Sequence, residues 1–221
     1  MTTDFSTDQI KGLNIALNEA EILGIELDKA NCRIGMTLLP PSLDKDGNVP
    51  NERRVVLLFQ PVGRFVASYR MGRWDDKDAP VVKFEPEQIL EKIGEFQQHY
   101  ISGWNFINSD KFKFDSWKDR ASFDYSSGVE EGMAHTIDLF QDQSDKIIDI
   151  RIWFGDFKLY TPSYEPIAFQ DFIDGGKRAW DSIYAGGEKA KQFGIQTGPV
   201  PYTNLDHGES DRGGGMTHKP L

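Results

Sequence analysis

Asp138 and Asp149, each inside an alternating apolar stretch, and the triplet Asp156-Phe157-Lys158 are the residues that come nearest to a catalytic set. Two strand carboxylates can hold Mg²⁺, and a lysine two positions beyond a third acid can support the attacking water, as in metal-dependent nucleases and hydrolases. The same residues have a plainer explanation. Asp156 falls in a predicted turn, acidic-x-Lys triplets are frequent by chance, and strand alternation places Asp138 and Asp149 on a solvated face.

Other reactive groupings are sparser. His99, His135, His207 and His218 include no i, i+4 pair, and with Cys32 as the single cysteine there is no Cys/His set for zinc. Ser126-Ser127-Gly128 lacks a nucleophile-elbow context, and Gly186-Gly187-Glu188-Lys189 and Gly213-Gly214-Gly215 lack the strand before and helix after that a phosphate loop requires. The sequence therefore implies no cofactor.

Two further stretches suit binding. In Gly175-Gly176-Lys177-Arg178 the glycines interrupt an apolar helical pattern at about 1 kcal/mol each relative to Ala, so something compensates. That is either close helix packing or an anion held at a helix start by Lys177 and Arg178. In the charged segment 72–80, Arg73, Trp74, Asp75 and Asp76 match the composition of an interface hot spot and predict a protein contact.

The elements that must position these residues follow from periodicity. From Lys146 to Phe154, Ile148, Ile150, Ile152 and Phe154 alternate with Ile147, Asp149, Arg151 and Trp153, which predicts a half-buried strand. Gly155-Asp156 permits a tight reversal, so Phe157 to Thr161 is expected to return as the second arm of a hairpin. Pro162 and Pro166 stop the sheet, and Pro166 suits the first turn of a helix carrying Ile167, Phe169, Phe172 and Ile173.

Upstream, Ser6 and Gln9 form a capping-box pattern for a helix over residues 7–23, closed by Gly24. Strands are expected at 31–39, where Cys32 counts as a small buried side chain, at 53–60 and 64–71 around a Pro61-Val62-Gly63 turn, and at 134–141. Residues 53–60 are apolar on both faces, as in a central strand. A helix follows Phe84-Glu85-Pro86 and ends by Gly103, with a short strand at 104–107; residues 108–132 carry no assignable pattern.

These elements give an α+β fold, mainly antiparallel sheet packed by about three helices. Their order in 32–101 resembles that in 134–185, the pattern expected of a duplicated βββα unit. Residues 1–195 fit a single domain, and the Gly-, Pro- and Asp-rich stretch 196–221 reads as a flexible tail.

The net charge of −10 in 221 residues disfavours unaided binding to nucleic acid. No apolar run approaches a membrane span, and the first residues lack a signal-peptide pattern, so a cytoplasmic location is expected. Together these features favour a non-enzymatic protein-binding protein, of immunity or inhibitor type, that docks on a basic partner. The alternatives are a metal-dependent nuclease or hydrolase using the strand carboxylates, and an assembly subunit whose tail orders on a neighbour.

Overall fold

Ser6 starts the first helix as its spacing predicts. Its hydroxyl accepts from Gln9 N at 3.2 Å, and the Gln9 side chain accepts from Ser6 N at 2.9 Å. In the computed structural model, which describes residues 4–96, 100–101, 103–108, 114–128, 133–186 and 192–193, this helix (α1, Thr7–Leu17) is one of three. The tail 196–221 and His99, His207 and His218 lie outside the described residues.

α1 stops earlier than the expected 7–23. Glu19 takes φ 54°, which ends the helix, and residues Glu21–Asp28 become a strand, β1. β1 pairs antiparallel with β2 (Arg33–Leu39), and Cys32 sits at φ 49° in the turn between them, half-buried rather than within a strand.

β2 pairs with β3 (Val55–Phe59), which is central as its apolar faces predict. The chain then passes through Pro61 into β4 (Val62–Met71). A one-turn 3-10 helix (Pro86–Gln88) leads into the short α2 (Ile89–Gly94), so the expected helix reaching toward Gly103 is cut to its first turns. β5 (Gly103–Asn108), a second 3-10 turn (Phe114–Ser116) and β6 (Phe123–Ser126) follow. β7 (His135–Asp142) and β8 (Lys146–Phe154) form a true hairpin. β9 (Phe157–Tyr160), the two-residue β10 (Pro166–Ile167) and α3 (Phe169–Tyr184) come next.

The strands form two antiparallel sheets, ordered β1-β2-β3-β9-β10 and β5-β7-β8-β4-β6. The fold is α+β. The expected hairpin across Gly155-Asp156 is absent: β9 pairs with β3 and β10, while β8 pairs with β4 and β7. Gly155-Asp156 is a corner at which the chain leaves one sheet for the other, and Pro61 turns the corner beside it. There Gly155 N donates to Pro61 O at 2.8 Å, and Gln60 N donates to Asp156 O at 2.9 Å. β3-β4 and β8-β9 are thus two antiparallel ribbons bent together.

Pro166 also departs from expectation. It pairs with Tyr160 in the outermost strand, where a missing N–H is tolerated, and α3 begins three residues later. Read from β1 and from β5, each sheet has three successive partners and then a strand delivered through the corner, so the two orders correspond place by place. That correspondence concerns strand order and does not by itself make the halves copies.

One continuous core joins the sheets. Phe59 of β3 and Phe154 of β8 meet edge to face at 4.9 Å, and Ile34, Leu57, Phe65, Ile150 and Ile152 are fully buried around them. α1 adds Leu13 and Leu17, and α3 adds Phe172 and Ile173. No helix among the described residues is long and apolar enough to cross a membrane.

Candidate functional site

β8 directs Ile148, Ile150, Ile152 and Phe154 into the shared core, so strand alternation turns Ile147, Asp149, Arg151 and Trp153 to the opposite face of the second sheet. Register brings Asp138 of β7 opposite Arg151, and Ser68 of β4 opposite Asp149, with Val66 and Arg70 on the same face. The expectation of a solvated face fails here, because Trp117 lies across it. Trp117 is only 2% exposed and packs with Val66 and Trp153.

The covering segment is fixed by short-range bonds: Trp117 N donates to Phe114 O, and Arg120 N and Ala121 N both donate to Trp117 O. Ser122 N donates to Ala67 O at 2.7 Å, which ties the segment to β4. At its near end the Arg64 guanidinium stacks on Phe114, 3.4 Å from the ring centroid, and bonds Asp124 through Nε and Nη2.

Beneath Trp117 the charges are paired tightly. Asp138 accepts from Arg151 through both carboxylate oxygens, and Arg70 Nη2 reaches Asp149 at 3.4 Å. Arg70 and Arg151 are 6% and 5% exposed. Two more contacts make Trp117 the cap of the cluster, with the Arg120 and Arg151 guanidinium carbons 4.7 Å and 5.1 Å from its ring. Burial pushes the Asp138 carboxyl above the usual carboxylate range, against the opposing pull of Arg151. Burial also lowers the Arg120 guanidinium from its ordinary value, Asp149 opposes that, and the like charges of Arg70 and Arg151 add to it.

Asp138, Asp149 and Asp156 therefore do not form a metal centre. The first two share a face but are each engaged by an arginine. Asp156 is exposed at the corner, seven residues beyond Asp149, which corresponds to roughly 20 Å of chain. Its carboxylate accepts from Phe157 N at 2.8 Å, and Lys158 is exposed on β9. Among the described residues, no three His, Cys, Asp or Glu side chains stand close enough to share a metal ion.

Lys177 and Arg178 sit in the middle of α3, well after its start at Phe169, so the helix terminus that an anion site would need is not at these residues. Arg178 donates through Nε and Nη2 to Leu43 O at 3.2 Å and 2.9 Å, and Lys177 is exposed. The glycines before them are explained by packing. A Cβ on Gly176 would lie 2.5 Å from Ala16 Cα, and one on Gly175 would lie 2.6 Å from Ser42 Oγ.

The loop bearing Arg73, Trp74, Asp75 and Asp76 projects from the end of β4. Met71 N donates to Pro80 O at 2.9 Å and Val82 N to Tyr69 O at 2.8 Å, which clamp its two ends. Inside it Asp76 N donates to Arg73 O, Asp78 N donates to the Asp76 carboxylate, and Arg73 faces Asp75 at 3.3 Å. From below, Arg70 Nη1 donates to Asp76 O at 3.1 Å, so the buried arginine also holds this loop. Trp74 and Met71 are each 42% exposed, and Asp75, Asp76 and Asp78 are exposed around them.

Sequence reasoning placed residues 72–80 in a loop but missed the cluster under Trp117. Arg70, Trp117, Arg120 and Asp149 are distant in the chain; the β4-β8 register brings Arg70 to Asp149, and the Ser122 tie to β4 lays Trp117 and Arg120 over them. The available signal was charge at alternating positions of β4 and β8 on the face away from the shared core, a pattern that also describes a wet face. Comparison with known proteins finds no matching family model, no matching curated protein and no matching solved structure.

Proposed function

We propose that the chain is a protein-binding protein, of immunity or inhibitor type, that docks on a basic partner through the 72–79 loop. The observation that carries this reading is the 42% exposure of Trp74 at the tip of a loop whose backbone is already bonded at both ends and from beneath. A large aromatic on a pre-ordered loop loses little conformational entropy when it docks, which is the usual character of an interface anchor. Asp75, Asp76 and Asp78 outnumber Arg73 and Lys77 around it, and the net charge of −10 steers a basic protein toward the surface. The strand carboxylates give no support to the hydrolase alternative, since they are dispersed or paired with arginine.

Affinity capture followed by mass spectrometry, at low and high salt, tests the reading. A partner should be basic, bind more weakly as salt rises, and lose at least about 2 kcal/mol of affinity to Trp74→Ala. Capture that is indifferent to both salt and Trp74 would refute it.

A further inference from the structure

Several buried donors beneath Trp117 have nothing to bond. Among the described residues, Arg70 Nε, Arg120 Nε and Trp117 Nε1 are buried without a hydrogen-bond partner. A few such atoms occur in any fold, but these three belong to one cluster on one sheet face. An unpartnered donor on a charged, buried side chain is costly, and its usual explanation is a water or ion in contact with it.

The charge count decides between those two. Among the described residues the face holds the guanidinium groups of Arg70, Arg120 and Arg151 and the carboxylates of Asp138 and Asp149, which leaves one positive charge in excess. Asp138 is committed to Arg151 and Asp149 to Arg70. No described carboxylate lies within ion-pair distance of Arg120, whose guanidinium is set against Trp117 and is disfavoured first by burial and then by two neighbouring arginines. A water molecule could accept one or two of the hydrogen bonds but would leave that charge uncancelled. An oxyanion supplies several acceptor oxygens and one or more negative charges together, and guanidinium donors suit it in geometry.

We propose that the face covered by Trp117 is a binding site for one small oxyanion, a phosphate or a carboxylate, received by Arg70 Nε, Arg120 and the Trp117 indole N–H. The ligand must be small, because Trp117 at 2% exposure and Arg70 at 6% close the face from above and from the side. Arg70 also donates to Asp76 O, so an anion on Arg70 sits one side chain away from the exposed loop. The site and the loop reading stand on separate residues otherwise.

The full chain, labelled with ¹⁵N, gives a direct test. Its five tryptophans yield five indole N–H resonances, and the one missing from Trp117→Phe is that of Trp117. Titration with inorganic phosphate, and separately with acetate at matched ionic strength, should move that resonance along a saturable curve. Phosphate alone identifies a phosphate site, and acetate alone a carboxylate site. Thermal stability should rise with the same ligand, and Trp117→Phe, which keeps an aromatic side chain but loses the indole donor, should weaken binding about tenfold. Arg120→Gln should abolish it while circular dichroism stays native. An indole resonance that stays still with both anions, or a response that persists unchanged in Arg120→Gln, overturns the proposal.

Discussion

Gly176 has no room for a methyl group. Its Cβ would sit 2.5 Å from Ala16 Cα and 2.6 Å from Ala16 Cβ, so Gly176→Ala forces α1 and α3 apart. The gain in helix propensity is about 1 kcal/mol, and the overpacking of two helix backbones exceeds it by roughly 1–2 kcal/mol. Gly94 in α2 is the control, because nothing lies within 4 Å of its Cβ position. Urea denaturation should show Gly176→Ala destabilised and Gly94→Ala stabilised by about 0.5–1 kcal/mol. The same comparison separates a packing role for Gly176 from a ligand role, since only packing responds to a methyl group in the free protein.

His135 supplies a pH dependence at this scale. It is 2% exposed between the rings of Phe5 and Phe154, and burial lowers its imidazolium from the ordinary value, with Asp4 and Asp156 pulling the other way. The folded chain therefore binds a proton less readily than the unfolded chain. The stability associated with neutral His135 is present above about pH 6.5 and is lost as pH falls through and below that value. Denaturation curves at about pH 7.5 and pH 5.5 should differ by less in His135→Gln than in the parent chain. Asp138→Ala takes both carboxylate bonds away from Arg151, which is 5% exposed, and should remove roughly 3 kcal/mol at neutral pH.

At the scale of elements, the corner explains both the success and the failure of sequence reasoning. β8 was legible residue for residue, because its isoleucines alternate with period 2 and its bounds match Lys146–Phe154. What followed was not, because Gly155-Asp156 suits a reversal and a bend equally well, and the choice is made by β3, about 100 residues earlier in the chain. Gly155 is required for close approach rather than for a turn: a Cβ there would meet Pro61 Cδ at 2.9 Å. Gly155→Ala should thus lower the denaturation midpoint, by roughly 1–2 kcal/mol in stability. β1 was hidden for a different reason, since Ala20 and Leu23 continue the apolar face of Leu13 and Leu17 and the stop comes from the backbone of Glu19. The cluster under Trp117 could not be read in advance, because its donors come from β4 and from the segment before β6, which no local pattern links.

At the scale of the whole molecule, the two sheets share one core through Phe59, Phe65, Phe154 and Phe157, so neither can lose its packing alone. Tryptophan fluorescence and far-ultraviolet circular dichroism should therefore report a single coincident unfolding transition. Separate midpoints would mean that the sheets are independent units. The close approaches at Gly176 and Gly155 lie at the helix pair and the corner, places where parts of the molecule distant in sequence are pressed together.

That long reach shapes how the chain is born. β3 pairs with β9 from Val56 opposite Tyr160 to Phe59 opposite Phe157, so during synthesis one flank of β3 waits for a strand that the ribosome makes roughly 5–20 s later. Until then the nascent half carries an open, strongly apolar edge. A chaperone that shields residues 55–59 through this interval should raise the soluble yield, and slowing translation between β4 and β9 should lower it.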